Sequence, residues 1–178
     1  MIKYMTIAGF GGQGVITVGK MLGQIAFNSS MHSIFVPSLG SEQRGGTASC
    51  SVVVSDTEIW SPVMKEADVL VAFNEPSLHK FLPKLKKNGI LICNTSRIKA
   101  GLESSDYLSY GFDIEGLADK IGYAKVANVI MLGAVCGILK LFAYNSVEEA
   151  VIERFAGEPE LIAFYKKALE IGYNAAML

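Results

Sequence analysis

The chain has 178 residues, 51% of them apolar and 19% charged, with sixteen Lys and Arg against seventeen Asp and Glu for a net charge of −1. This length predicts one domain, residues 1–178, burying roughly 70% of the unfolded surface. The charge balance without a basic block excludes a nucleic-acid or anionic-membrane footprint, and no tract has a disordered composition.

The N-terminus reads as lacking a secretory signal, because its apolar stretch breaks at glycines within a few residues. Ile2 to Ala8 is a short apolar run closed by glycine, which predicts a buried strand. Gln13 to Phe27 places Val15, Val18, Leu22, Ile25 and Ala26 at helical spacing. Ser33 to Val36 predicts a second strand stopped by Pro37, and Thr47 to Ser55 a third. The loop between these two is only about nine residues long, which suits an antiparallel pair better than a helical crossover.

"ADVLVAF", residues 67–73, is the clearest buried strand, and Pro76 opens a helix that runs to about Leu85. Lys87-Asn88-Gly89 predicts a turn into the strand Ile90 to Cys93. Tyr107 to Phe112 is a weaker strand, with Asp113 capping the helix behind it. A helix near Ala124 to Phe142 contains fourteen uncharged residues between Lys125 and Lys140. That is short of the roughly 18 needed to span a bilayer, so it reads as a buried core helix. Ser146 and Glu149 form a capping box for the next helix, and a terminal helix covers about Glu158 to Ala175. The alternation predicts a three-layer α/β/α sandwich with a mostly parallel, mixed sheet.

Between the first strand and helix lies "GFGGQG", with Gly9, Gly11 and Gly14 at G-x-G-x-x-G spacing. Gly9 and Gly11 are read as allowing angles and close approach that a β-carbon would block. The amides that open the helix are free to meet an anion or a partner's acceptor. A dinucleotide site also needs an acid about twenty residues on, to hold the ribose. Here the second strand ends "SIFVPSLG", and the P-loop lysine is also missing. Three readings stay open: a dinucleotide site, a tight structural turn, and a docking or ligand-facing loop.

Cys50, Cys93 and Cys136 are too scattered for a disulfide framework or a C-x-x-C metal or cluster site, which favours a reducing, cytoplasmic setting. His32 and His79 have no partner that marks them as catalytic. Asn128, Gly133 and Gly137 read as packing residues, with the Asn satisfying a backbone group. Trp60 reads as a strand-end or interface aromatic. The apolar excess over charge predicts a partner-ready surface or self-association.

A second glycine-rich stretch, "SLGSEQRGGTASCSVVVSD", spans residues 38–56. Together with "GFGGQGV", Ser61-Pro62, "ADVLVAFN" and "GILICNTS", it resembles the gamma subunit of 2-oxoacid:ferredoxin oxidoreductases. The match runs in order from Ile2 to Asn94, and "ANVIMLGAV" at Ala127 to Val135 extends it. The resemblance implies a complex that cleaves a 2-oxoacid oxidatively with thiamine diphosphate, coenzyme A and iron–sulfur clusters, passing electrons to ferredoxin. This chain has neither a G-D-G thiamine diphosphate signature nor cluster cysteines. The resemblance therefore implies that those groups lie on alpha, beta and ferredoxin-like delta subunits, and that this chain holds no metal and no catalytic residue of its own.

The candidate cofactor-binding or subunit-interface residues are Gly9, Gly11, Gly12, Gln13 and Gly14, with Ser41, Glu42, Gln43, Arg44, Gly45 and Gly46. The Arg44 guanidinium is a rigid donor fork suited to carboxylates and phosphates. Its alternative is a solvated loop arginine paired with Glu42, and the resemblance favours a subunit-facing role near the coenzyme A entrance. Both loops are expected at one edge of the sheet.

Overall fold

A computed structural model describes residues 1–39, 46–61, 63, 65–99 and 102–177. Six strands form one sheet in the order β2-β3-β1-β4-β5-β6. They are β1 (Ile2–Phe10), β2 (His32–Leu39), β3 (Thr47–Ser55), β4 (Ala67–Ala72), β5 (Leu85–Asn94) and β6 (Tyr107–Phe112). β3 is antiparallel to both β1 and β2, whereas β1-β4, β4-β5 and β5-β6 are parallel. One reversed strand in an otherwise parallel sheet is the mixed arrangement expected.

Six helices complete the fold: α1 (Val15–Asn28), α2 (Glu75–Phe81), α3 (Ile114–Ile121), α4 (Ala127–Leu139), α5 (Tyr144–Arg154) and α6 (Ile162–Ala175). Side chains alternate across the sheet. Met5, Ile7, Val52, Val71 and Ile92 face a thick layer that includes α1, α4 and α6. Leu70, Ala72, Leu91 and Cys93 face a thin one with Leu78 of α2 and Ile98. The three layers are thus unequal. α4 is apolar on every side because it lies between the sheet and α6, with Ile130, Met131 and Leu132 fully buried. Burial of each such side chain contributes about 1.5–3 kcal/mol.

Several sequence expectations are corrected. Pro37 does not stop β2, which runs on to Leu39 opposite Ala48. β2 is an edge strand, so a residue without an N–H fits on its outward side. Lys87-Asn88-Gly89 lies inside β5, where Asn88 takes a φ of 61° and the register against β4 shifts. The Ser146/Glu149 box does not form: the Val147 amide bonds the Ala143 carbonyl at 3.3 Å, so α5 starts at Tyr144 and has no side-chain cap. The helix after Pro76 tightens into a 3₁₀ turn at Leu82–Lys84, and the helices at 124 and 158 each begin with one. Asp113 does cap α3, its carboxylate accepting the Gly116 amide.

Candidate functional site

The carboxyl ends of the five co-directional strands meet the start of β3 at one edge of the sheet. Within it, β1 leads through α1 to β2 on one side, and β4 leads through α2 to β5 on the other. The crevice between β1 and β4 is therefore a topological switch point, the usual ligand position in open α/β sheets.

In this chain Gln13 closes that crevice. Its side-chain Oε1 accepts the Phe10 amide at 2.7 Å and the Asn74 Nδ2 at 2.8 Å. Asn74, buried to 4% exposure, also caps α2 by accepting the Ser77 amide at 3.0 Å. This side-chain pair ties the glycine loop to the start of α2.

The glycines divide the work differently from the sequence reading. Positive φ falls at Gly12 (95°) and Gly14 (79°), not at Gly9 or Gly11. A β-carbon at Gly9 would lie 2.7 Å from both Gln13 Oε1 and Val15, and one at Gly14 would meet Asn128 at 2.6 Å. At Gly11 it would meet nothing within 4 Å. Gly9 and Gly14 are therefore required by the fold, and Gly11 is not. The Gly11 amide donates to the Gly46 carbonyl at 3.2 Å, tying the two glycine-rich stretches together at the same edge. Ser41, Glu42, Gln43, Arg44 and Gly45 lie outside the described residues.

The open space lies beside this latch. A groove of about 520 Å³ runs along residues 10–17 and is walled by Ala48, Ala124, Lys125, Ala127 and Asn128. α1 points its N-terminus into this groove with no side-chain cap and no acid in its first turn. Its leading amides are thus left for an external acceptor, and the helix dipole favours an anion. Lys125 adds a positive charge. Asn128, read from sequence as a satisfied packing residue, has a buried Oδ1 with no partner. The only sequence signal for these two residues was their place beside an apolar helix, which says nothing of the glycine loop they face.

The three cysteine thiols are not activated. Burial pushes the thiols of Cys50 and Cys136 up to about 12 and that of Cys93 up to about 11. His79 lies 3.6 Å from Glu75 on the exposed side of α2. Among the described residues no three His, Cys, Asp or Glu side chains are grouped to hold a metal ion, and no helix is long and apolar enough to cross a membrane. Among the described residues the arrangement offers donors to an anion or an acceptor.

Residues 5–175 match the pyruvate ferredoxin/flavodoxin oxidoreductase family. The chain belongs to this family. A ketoisovalerate oxidoreductase subunit, VorA, of Methanothermobacter thermautotrophicus is 38% identical over 167 residues, covering 93% of this chain and 35% of that protein. This chain thus spans about a third of the length of that relative. The gamma subunit of a keto/oxoacid ferredoxin oxidoreductase from Geobacter sulfurreducens has the same fold, with a TM-score of 0.84, 25% identity and 98% of each chain covered. A 2-oxoglutarate:ferredoxin oxidoreductase from Magnetococcus marinus, solved with 2-oxoglutarate, coenzyme A and succinyl-CoA bound, shares the fold at a TM-score of 0.90 and 20% identity. That match covers 99% of this chain and 31% of the larger one.

Proposed function

We propose that this family member is the gamma subunit of a cytoplasmic, thiamine-diphosphate-dependent 2-oxoacid:ferredoxin oxidoreductase. It completes a complex with alpha, beta and ferredoxin-like delta subunits, which carry the thiamine diphosphate and the iron–sulfur clusters. The observation that carries this reading is the family match over nearly the whole chain. The relatives above are named for different 2-oxoacids, which supports placing substrate choice on the subunit that holds the thiamine cofactor. The chain acts as one module, residues 1–178.

Within the complex, the glycine-loop groove presents donors to a coenzyme A phosphate or to an acceptor on a neighbouring subunit. Uncapped amides, Lys125 and a first turn of α1 without an acid suit an anion. Arg44 adds a donor fork worth about 1.5–3 kcal/mol if its contact is buried at that interface.

The test rebuilds the complex with Gly11→Val or Arg44→Ala and measures assembly and the apparent affinity for coenzyme A. Gly11→Val should leave the isolated fold intact, since its β-carbon meets open space, yet weaken assembly or coenzyme A use. Normal assembly and unchanged coenzyme A dependence in both variants would reduce the loops to structural turns. The chain alone should be colourless, free of iron and sulfide, and without turnover; a brown preparation would refute the division of labour.

A further inference from the structure

The thin-layer face of the sheet changes character between its two halves. Under α2 it is apolar, with Leu70, Ala72, Leu91 and Cys93. Toward β3 and β2 it turns to hydroxyls. Thr6 pairs in register with Ser51 and Ser38 with Ser49, and directly opposed residues of antiparallel strands share a face. The reverse side of the same strands is Met5, Ile7, Cys50 and Val52, all core.

These four hydroxyls, with Lys65 before β4 and Lys84 after α2, line a cavity of about 100 Å³ whose described wall residues include no acid. Thr6 and Ser49 are only 7% and 9% exposed as residues, and the four hydroxyl oxygens are not among the fully buried polar atoms that lack a partner, so they open into the cavity. Among the described residues neither lysine has an ion pair. Two ammonium groups and four hydroxyls are a donor set, suited to an acceptor-rich anion and unsuited to a cation. Donors rise from three adjacent strands, and the lysines come from two other segments. This spread matches a tetrahedral ion better than a flat carboxylate. At about 30 Å³ per water, the cavity has room for roughly three waters or one such ion.

We propose that this cavity binds a tetrahedral oxyanion of the phosphate class, as the free ion or as the phosphate group of a larger ligand. The site lies on the opposite face of the sheet from the α1 groove and stands independently of the gamma-subunit reading.

The test titrates the full chain with inorganic phosphate by calorimetry at constant ionic strength set with chloride, with acetate and adenosine 5′-monophosphate as separate arms. Saturable phosphate binding is expected. It should weaken by about tenfold or more in both Lys65→Gln/Lys84→Gln and Thr6→Val/Ser49→Ala, as loss of charge-assisted contacts implies. If the second pair does not fold by circular dichroism, Ser38→Ala/Ser51→Ala replaces it. Monophosphate binding with the same sensitivity assigns the phosphate group of a larger ligand; exclusion of the monophosphate alone assigns the free ion. The proposal fails if phosphate binds no better than chloride or if acetate competes equally. It also fails if only the lysine pair matters, since that would report diffuse surface charge.

Discussion

Gln13 and Asn74 carry more of the site than the glycines that announce it. One carbonyl oxygen of Gln13 takes the Phe10 amide and the Asn74 side chain, and Asn74 holds the first turn of α2 with its other atom. The glycine loop and the start of α2 are therefore locked through two amide side chains. Asn74→Ala should cost about 1–3 kcal/mol, through a lost cap and a buried acceptor left short of a donor. Asn74→Asp keeps the cap but loses the Nδ2 donor and sets a carboxylate against Gln13 Oε1. Urea midpoints of both variants separate the two contributions. If Asn74→Asp matches the parent chain, the Gln13 contact is inert. The pair was illegible in the sequence because its members are 61 residues apart and nothing local in either segment requires the other.

At the scale of elements, the tightest junction is α4 on α6. A β-carbon on Gly172 would come within 2.0 Å of the Ile130 carbonyl oxygen, and one on Gly133 within 2.4 Å of that of Leu169. The two backbones touch where each helix lacks a side chain. Gly172→Val should push the helices apart and cost about 3 kcal/mol or more, beyond ordinary overpacking, because rigid backbone cannot yield. A fall in the thermal midpoint with near-native far-ultraviolet dichroism is the expected result, and an unchanged midpoint would contradict the contact. The apolar circumference of α4 and the packing role of Gly133 were legible, since no polar face exists to meet water. Gly172 was not, because an isolated glycine late in an amphipathic helix looks like any weak point. Pro37 and Ser146 misled for a related reason. A strand-breaking proline is harmless on an edge, and a capping box yields when the helix starts three residues earlier.

For the molecule as a whole, the order of elements and the antiparallel β3 could be read from periodicity and loop length alone. The shape of the groove could not, because Lys125 and Asn128 reach the glycine loop only through the packing of α4 against α1. Acid stability is likewise a tertiary property. At the ends of β5 and β6, the Ser96 hydroxyl and the Gly116 amide hold the Asp113 carboxyl below its usual range. For Glu115, burial pushes upward, but hydrogen bonds from Arg97, Ser96 and Asn94 outweigh it and leave its carboxyl low as well. Groups lowered by folding stabilise the native state above their ordinary values and lose that contribution as pH falls through the folded ones. The urea midpoint should therefore hold from neutral pH to about 4 and decline below it. Asp113→Asn/Glu115→Gln should start lower and fall less steeply; a parallel decline would show that other carboxylates govern the acid limb.

Pro37 has a bearing on how copies of this chain can meet. It sits within β2, at one end of the sheet, where it has no amide hydrogen to offer a newcomer. The opposite end, β6, contains neither proline nor charge and exposes Leu108 at 59%. Natural sheets block the edges they must not extend. Here β2 carries a proline and β6 does not. In polymer terms the two ends differ in reactivity: a strand added at β2 forfeits the hydrogen bond that Pro37 cannot donate, and a strand added at β6 meets no such loss.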